Sequence, residues 1–516
     1  MHLSTLLDMA ADGGSDRVAL GSRTGGLTFA QLRDRARLAA AWAAGRGVER
    51  IGLVDVSSDI AATLLFGSAY AGMPFVPMNY RHADARLRAV LARTAPSVVV
   101  VADGVIERIG PVDGVELVGR DDFRRRLAEL DPAVAAPVGE ASPDDIAVLL
   151  FTSGTTGEPK AAVLRHRHLA AYVLSTVEFM SADPGDAALV SVPPYHVAGT
   201  ASVLTSVFAG RRVVYLPDFT PEAWVATVRD EQITQAMVVP TMLARVLDVL
   251  ARDGEMLPRL RHLAYGGGRM PAPVIERAVA CLPHVDFVNA YGLTETSSTI
   301  ALLGPDDHRA AVASRDPVIR GRLGSVGRPL PTVEVEVRAP DGTVLAAGEV
   351  GEIWVRGEQV AGEYLGVDRV AGAGRAGDGW FPTRDGGWLD GAGYLYVEGR
   401  LDDVIVRGAE NLSPGEIEDV LVAHPAVLDA GVVGLPDTEW GQTVAAAVVL
   451  RPDAQATEED LRAWVRSHLR SSRTPDHITF RPDLPYSDVG KLLRRVLRDQ
   501  LSSPDRRFGR SRQRRN

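Results

Sequence analysis

Ten residues, Phe151-Thr-Ser-Gly-Thr-Thr-Gly-Glu-Pro-Lys160, join an apolar run to a loop of hydroxyls and glycines. Glycine lets a backbone turn tightly and brings its amides close to an anion. Thr152, Ser153, Thr155 and Thr156 add hydroxyl donors, Gly154 and Gly157 supply the turns, and Lys160 adds positive charge. By composition this is a phosphate-binding loop, and the bland alternative is a surface turn. It is not the Walker pattern, because no Gly-Lys-Ser/Thr closes it. Lys160 is one of only two lysines; the other is Lys491, and the remaining 54 basic residues are arginine. Such a bias marks the two lysines as places where a compact point charge differs from arginine's planar fork. For Lys491 the spacing alone leaves a solvated lysine at a helix start equally open.

Other chemistry-bearing residues are sparse. None of the eleven histidines forms a metal-ligand pattern, and His166 and His168, two apart, do not share a helical face. A lone histidine such as His196 is more often structural than catalytic. The single cysteine, Cys281, excludes an internal disulfide framework and a Cys-rich metal site. In Val279-Ala-Cys-Leu-Pro it reads as a small buried hydrophobe. The 516 residues, 46% hydrophobic and 24% charged, describe a chain of several domains with a sizeable core. A net charge of −10 argues against a dedicated nucleic-acid binder.

Alternating strands and helices are needed to position these residues. Short apolar runs at 98–101, 146–151, 188–192 and 213–216 read as strands, and 27–44 has helical spacing. The alternation predicts a doubly wound parallel sheet through about residue 290. The uncharged stretch 60–78 is long enough to consider as a membrane span, but its glycines and prolines favour a buried helix ending near Ala71, a turn and a short strand. Residues 132–145 read as a surface loop. Val333, Val335 and Val337 alternate with polar residues, and Asp341-Gly342 is a hairpin turn signal, so a small barrel or sandwich follows residue 320. Beyond residue 400, helices at 414–422 and 458–469 flank a strand at 444–450, as in a small α+β domain. The arginine-rich tail 502–516 reads as disordered, with an acidic-partner contact as the other possibility. The start of the chain lacks a basic leader, so a cytoplasmic protein is expected.

The loop at 152–160 resembles the signature of the adenylate-forming superfamily, the AMP-dependent synthetases and ligases that include acyl- and aryl-CoA synthetases. The resemblance continues in order: Phe75-Val-Pro-Met-Asn-Tyr-Arg81, Pro193-Pro-Tyr-His-Val-Ala-Gly199, Tyr265-Gly-Gly-Gly268, Asn289-Ala-Tyr-Gly-Leu-Thr-Glu295, Gly351-Glu-Ile-Trp-Val-Arg-Gly357, Trp380-Phe-Pro-Thr-Arg-Asp385, Gly399-Arg-Leu-Asp-Asp403 and Pro485-Tyr-Ser-Asp-Val-Gly-Lys491. It implies an α/β fold: an N-terminal domain over 1–401, with two doubly wound sheets and a small β-barrel, and a mobile α+β C-terminal domain over 402–501 hinged at Asp402. It also implies ATP, Mg2+ and coenzyme A. The Thr152–Gly157 loop and Lys160 would hold phosphates. Thr294 would contact the α-phosphate and Glu295 would ligate Mg2+, as a hard oxygen donor. Gly266, Gly267, Gly268, Asn289, Ala290, Tyr291 and Gly292 would wall the adenine. Asp385 would accept hydrogen bonds from the ribose hydroxyls, with Arg400 nearby. Lys491 would bridge carboxylate and α-phosphate, His196 would gate the acyl pocket, and Gly408 and Ala409 would line the pantetheine tunnel.

The expected activity is ATP-dependent acyl-CoA ligation through an acyl-adenylate, the alternative being an adenylating enzyme that loads a carrier protein. No carboxylate stands beside His196 to hold an α-ammonium, so the acid is expected to be fatty, alicyclic or aryl. His196, Ala198, Gly199, Ala264 and Gly292 would form its pocket, expected to be roomy and apolar. A nucleotide-binding pseudo-enzyme is the reading from another class. Two residues depart from the family pattern: Arg384 and Ala409 each stand where glycine is usual. The assembly state stays open, a homodimer included.

Overall fold

The computed structural model describes residues 1–131, 142–152, 160–366, 378–408, 410–487 and 490–502. Ser153, Gly154, Thr155, Thr156, Gly157 and Ala409 lie outside the described residues, as do most of the loop at 132–145 and the tail beyond Ser502.

Two large sheets form the body. A six-stranded sheet has parallel strands Val115–Gly119, Ser97–Val101, Arg50–Val54, Phe75–Pro77 and Ile146–Thr152, with Lys160–Arg165 antiparallel at its edge. A nine-stranded sheet has a parallel centre of Arg212–Tyr215, Ala187–Val190, Gln235–Val238, His262–Gly266 and Asp286–Leu293. Continuous Val, Ile and Leu runs suit such strands, because helices cover both faces. Helices Leu3–Gly13, Phe29–Ala44, Asp59–Ala71 and Val197–Phe208 contribute to one core, centred on Leu32, Phe66, Leu150 and Leu204. Asp59–Ala71 is buried almost throughout and ends on Gly72, whose φ of 65° is the left-handed cap glycine tolerates. The stretch 60–78 is therefore a core helix and an inner strand. Among the described residues no helix is long and apolar enough to cross a membrane.

Strands Val333–Arg338, Gly351–Gly357, Phe381–Leu389 and Leu395–Arg400 make a four-stranded antiparallel meander with its own small core. A C-terminal unit follows, in which Val427–Asp437, Gly441–Leu450 and His477–Phe480 form a three-stranded sheet. Helices Pro414–Val422 and Glu458–His468 cover one face, and Arg494–Ser502 the other. Thr457 caps the second helix through a reciprocal capping box with Asp460. The mixed α/β architecture of several sheets and a separate small C-terminal domain agrees with the sequence reading. Cys281 does not: it ends the helix Ala272–Cys281 and is exposed. The buried residues of that helix are Ile275 and Ala278, so its apolar stripe passes Cys281 by.

Candidate active site

The C-terminal ends of the parallel strands in the nine-stranded sheet, the meander and one loop of the C-terminal unit face a common cleft. Two of the named glycines are explained by backbone proximity and a third by its backbone angle. A Cβ on Gly266 would lie 2.3 Å from the carbonyl oxygen of Ala290, and one on Gly292 would lie 1.7 Å from that of Ser298. Gly267 has a φ of 77°, open to glycine at little cost. The rim over 266–268 is thus bare backbone, against which a flat ring can lie. Asn289 is buried and donates from Nδ2 to the Ser325 carbonyl at 3.1 Å.

Tyr291, Asp385 and Arg400 form one network on the meander side. The Tyr291 hydroxyl donates to Asp385 Oδ2 at 2.6 Å, and Arg400 Nη1 donates to Asp385 Oδ1 at 3.2 Å and to the Thr383 carbonyl at 3.0 Å. The Asp385 amide donates to Thr383 Oγ1 at 3.1 Å. Burial pushes the Tyr291 hydroxyl well above its ordinary value, and the Asp385 charge adds to it, so Tyr291 stays a donor. For Arg400 burial works against the charge, but Asp385, Glu295 and Asp402 together outweigh it and the pKa rises. Arg384, between Thr383 and Asp385, has a φ of 64°. Its side chain reaches Asp402 Oδ1 at 3.3 Å, so the departure from glycine here is tied to the residue matching the hinge.

Thr294 opens a short 3-10 turn, Thr294–Thr296, that places Glu295 in the cleft wall, 9% exposed. The Tyr364 hydroxyl donates to Glu295 Oε1 at 2.5 Å. Burial and the Glu295 charge keep that hydroxyl protonated. Lys160 Nζ lies 5.6 Å from the centre of the Tyr364 ring, and Thr152 pairs with Lys160 across the two strands that lead into and out of the glycine loop. Both ends of that loop are therefore held beside Glu295. After the turn, Ser297 and Ser298 have φ of 57° and 110°. Gln359 holds them there: it donates to the carbonyls of Thr296 and Thr299, and Ser297 Oγ donates to its carbonyl at 2.8 Å. Among the described residues no group of three or more His, Cys, Asp or Glu could hold a metal by itself. A single carboxylate beside the strands that frame a glycine- and hydroxyl-rich loop would suit Mg2+, which is held by one or two carboxylates with substrate phosphates and waters.

The third wall comes from the C-terminal unit. Arg269 pairs with Asp419 across the cleft at 2.5 Å, and Ser413 Oγ donates to the Glu398 carbonyl at 3.0 Å. The loop carrying Lys491 is a tight turn, in which the Ser487 amide donates to the Lys491 carbonyl and the Lys491 amide to Ser487 Oγ. Gly490 has a φ of 70°, and a Cβ there would lie 2.7 Å from Val239 Cγ2. Glycine lets the loop sit down on the N-terminal body. Lys491 is open to the cleft yet closely surrounded by protein. Burial lowers its pKa first, the Arg400 charge adds to this, and Asp385 and Asp403 oppose it. His196 caps the helix Val197–Phe208, accepting at Nδ1 from the Ala198 amide at 3.2 Å. Burial, then the Lys491 charge, lowers the pKa of His196 to about 4, so it is neutral at physiological pH.

Behind His196 lies a cavity of about 120 Å3, whose small residues include Ala198, Ala264 and Ala290. Gly199 and Gly292 are placed differently. Gly199 packs on the Pro193 carbonyl, where a Cβ would lie 2.6 Å away, and borders a neighbouring apolar void. Gly292 serves the close approach to Ser298. The cavity wall is mixed polar and apolar, where the small residues alone had implied an apolar pocket. Gly408 lies apart, on the hairpin Ile405–Arg407 and Glu410–Leu412 of the C-terminal unit, against Trp440. Tyr364, Thr383 and Gln359 were missed as site residues by the sequence reading. Tyr364 and Gln359 act through hydrogen bonds to a distant segment and carry no local pattern, while Thr383 lies in the motif 380–385 but had been given no role.

Residues 7–365 match the AMP-binding enzyme family and residues 416–491 match the AMP-binding enzyme C-terminal domain. The chain belongs to the AMP-binding enzyme family. It is 33% identical to the fatty acid–acyl-carrier-protein ligase ScoC of Streptomyces coeruleorubidus, over 92% of each chain. It is 32% identical to feruloyl-CoA synthase of an Amycolatopsis species, over 94% of each. The structure of ATP-bound MatB from Rhodopseudomonas palustris superposes with a TM-score of 0.85 at 27% identity, covering 97% of this chain and 99% of that one.

Proposed function

We propose that the protein is an ATP-dependent acyl-CoA ligase, an AMP-forming acid–thiol ligase acting on a fatty, alicyclic or aryl acid. The observation that carries this reading is the convergence of Lys491, the Asp385–Arg400 pair and His196 on one cleft with a cavity behind it. The acid's carboxylate oxygen attacks the α-phosphorus of ATP, the bond to the bridging oxygen breaks, and pyrophosphate leaves. CoA's thiol then attacks the acyl carbon, and AMP leaves. Two anions must meet in the first step, so fixed positive charge at their junction lowers the barrier.

In this reading Asp385 and Arg400 hold the ribose, and Gly266, Gly267, Gly268, Asn289, Ala290, Tyr291 and Gly292 wall the adenine. Thr294 contacts the α-phosphate. Thr152, Ser153, Gly154, Thr155, Thr156, Gly157 and Lys160 hold the outer phosphates. Glu295 is the protein ligand for Mg2+, which when bound supplies charge neutralisation on the phosphates. Tyr364 fixes the orientation of that carboxylate. Lys491 sits between carboxylate and α-phosphate, and neutral His196 closes the acyl end without repelling the lysine. Rotation of residues 402–501 about Asp402 would bring Gly408 and Ala409 to the CoA side in place of the lysine loop. A cytoplasmic setting suits the ATP and CoA requirement. A second reading, loading of an acyl carrier protein, is favoured by the name of the ScoC relative.

The test is pyrophosphate release across a panel of carboxylic acids, with free CoA and with a carrier's phosphopantetheine arm as competing acceptors. The proposal expects acid-dependent release and a CoA thioester. Release without CoA thioester, together with transfer to the carrier arm, would move the assignment to the second reading. No release with any acid would overturn both.

A further inference from the structure

The cavity behind His196 has a wall whose chemistry is set by two periodicities. On the helix Val197–Phe208 the residues Ala198, Ala201, Ser202, Thr205 and Ser206 face the cavity, at the i, i+3, i+4, i+7, i+8 spacing of one helical face. Val203, Leu204, Val207 and Phe208 enter the core instead. On the strand Gln235–Val238 the side chains of Gln235 and Met237 share a face and reach the cavity, where Ala236 also borders it, while Val238 belongs to the core alone. His196 stands at the start of the helix, so the cavity runs down it from the mouth at Ala198. From there to Ser206 is about 12 Å of helix. Gln235 begins its strand, at the end remote from the nucleotide cleft. The mouth is therefore methyl groups, and the floor is Thr205, Ser206 and Gln235.

The polar groups at that floor are left with hydrogen-bonding capacity. Thr205 Oγ1 donates to the Ala201 carbonyl at 2.8 Å, leaving its lone pairs. The side chains of Ser202, Ser206 and Gln235 make no hydrogen bond to the described protein, although Ser206 is only 2% exposed. Higher in the wall stands the Tyr172 hydroxyl, whose pKa burial raises, with Thr299 and Ser298 opposing the rise. No charged side chain lines the cavity among the described residues, so a second carboxylate would be buried without a partner, which is strongly unfavourable. A cavity of roughly 150 Å3 holds benzene, so 120 Å3 is the scale of one ring and too small in volume for a long alkyl chain.

Resting on the ligase reading, we infer that this chain selects a compact, single-ring carboxylic acid whose far end carries an uncharged hydrogen-bonding group, read by Gln235, Thr205 and Ser206. A phenolic hydroxyl on a phenylpropenoate has this form. Apolar fatty acids leave the floor groups unpaired and lose the discrimination that a hydrogen-bonding site provides.

The test compares para-hydroxycinnamate, cinnamate and decanoate by kcat/KM for pyrophosphate release, in the wild type and in Gln235→Leu and Thr205→Val. The non-hydrolysable acyl-sulfamoyl adenosines of the same three acids give a binding readout that needs no turnover. The wild type is expected to prefer the hydroxylated acid over cinnamate by roughly tenfold or more in both readouts. Each variant is expected to shrink that ratio towards one, and either suffices should the other fail to fold. A wild-type preference for cinnamate or decanoate would overturn the inference while leaving the ligase reading intact, as would an unchanged ratio in both variants. Tight binding of the hydroxylated analogue without pyrophosphate release from any acid would sink the ligase reading and keep the selectivity.

Discussion

The two ends of the cleft are built on different principles. At the proposed nucleotide end the polar side chains are already paired: Asp385 takes hydrogen bonds from Tyr291 and Arg400, and Glu295 takes one from Tyr364. At the acyl end Ser202, Ser206 and Gln235 wait without partners in the described protein, and the frame around them is alanine and core packing. A preorganised end suits a ligand common to every turnover, because no reorganisation is needed when charge develops. An end of small residues and idle hydroxyls leaves its chemistry to be completed by the substrate. The difference teaches where substitutions act: at the first end they break a network, and at the second they change a preference.

The largest expected effect lies between the ends. Lys491→Ala should reduce acid-dependent pyrophosphate release by about a hundredfold or more, with ATP affinity by equilibrium dialysis changed only a few-fold. An equal loss of ATP affinity would place the lysine at the nucleotide end alone. Next, Asp385→Ala leaves the Arg400 charge and the Tyr291 hydroxyl without their shared acceptor. The KM for ATP should rise by roughly ten- to a hundredfold, with little change in the ranking of acids. A changed ranking would join the two ends into one. Gly490→Ala places a methyl group against Val239 at a positive φ, so the lysine loop should seat poorly. Adenylation should fall about tenfold in a single-turnover measurement while preformed acyl-adenylate is still converted to thioester.

The smallest effect is a pH limb. In the proposed mechanism Lys491 acts as the protonated form, and burial with the Arg400 charge brings its pKa below the ordinary lysine range of about 10.4. The adenylation rate should therefore fall as pH rises through that lowered pKa. Lys491→Arg, whatever its lower rate, should lack that limb, because arginine stays charged. On the acid side His196, lowered to about 4, stays neutral until well below its ordinary pKa, so it adds no limb near pH 6.

Much of the proposed nucleotide end could be assembled from the sequence, because its residues sit in contiguous motifs whose chemistry needs glycine, a hydroxyl or a carboxylate at fixed offsets. The loop glycines 266 and 292 are explained by backbone contacts that any side chain would fill. The core strands and the helix Pro414–Val422 could be read from apolar runs and from the Pro and Ser at the helix start. Tyr364 and Gln359 could not, since each meets its partner across more than sixty residues of chain and no period marks it. The polar floor of the acyl cavity was hidden for a similar reason. Ser202 and Ser206 lie in a run whose alanines dominated the reading, and Gln235 joins them only through sheet register. Cys281 was misplaced because the residues flanking it are apolar, while the helix phase turns it outward.

The central claim is that the cleft activates a carboxylate by adenylation before it makes a thioester. The most direct measurement mixes the enzyme with α-labelled ATP and an accepted acid, without CoA, and follows label before and after CoA is added. The account predicts enzyme-bound acyl-adenylate and one equivalent of pyrophosphate first, then AMP and acyl-CoA on addition of the thiol. Formation of ADP and inorganic phosphate, or no labelled acyl species until CoA is present, would contradict it.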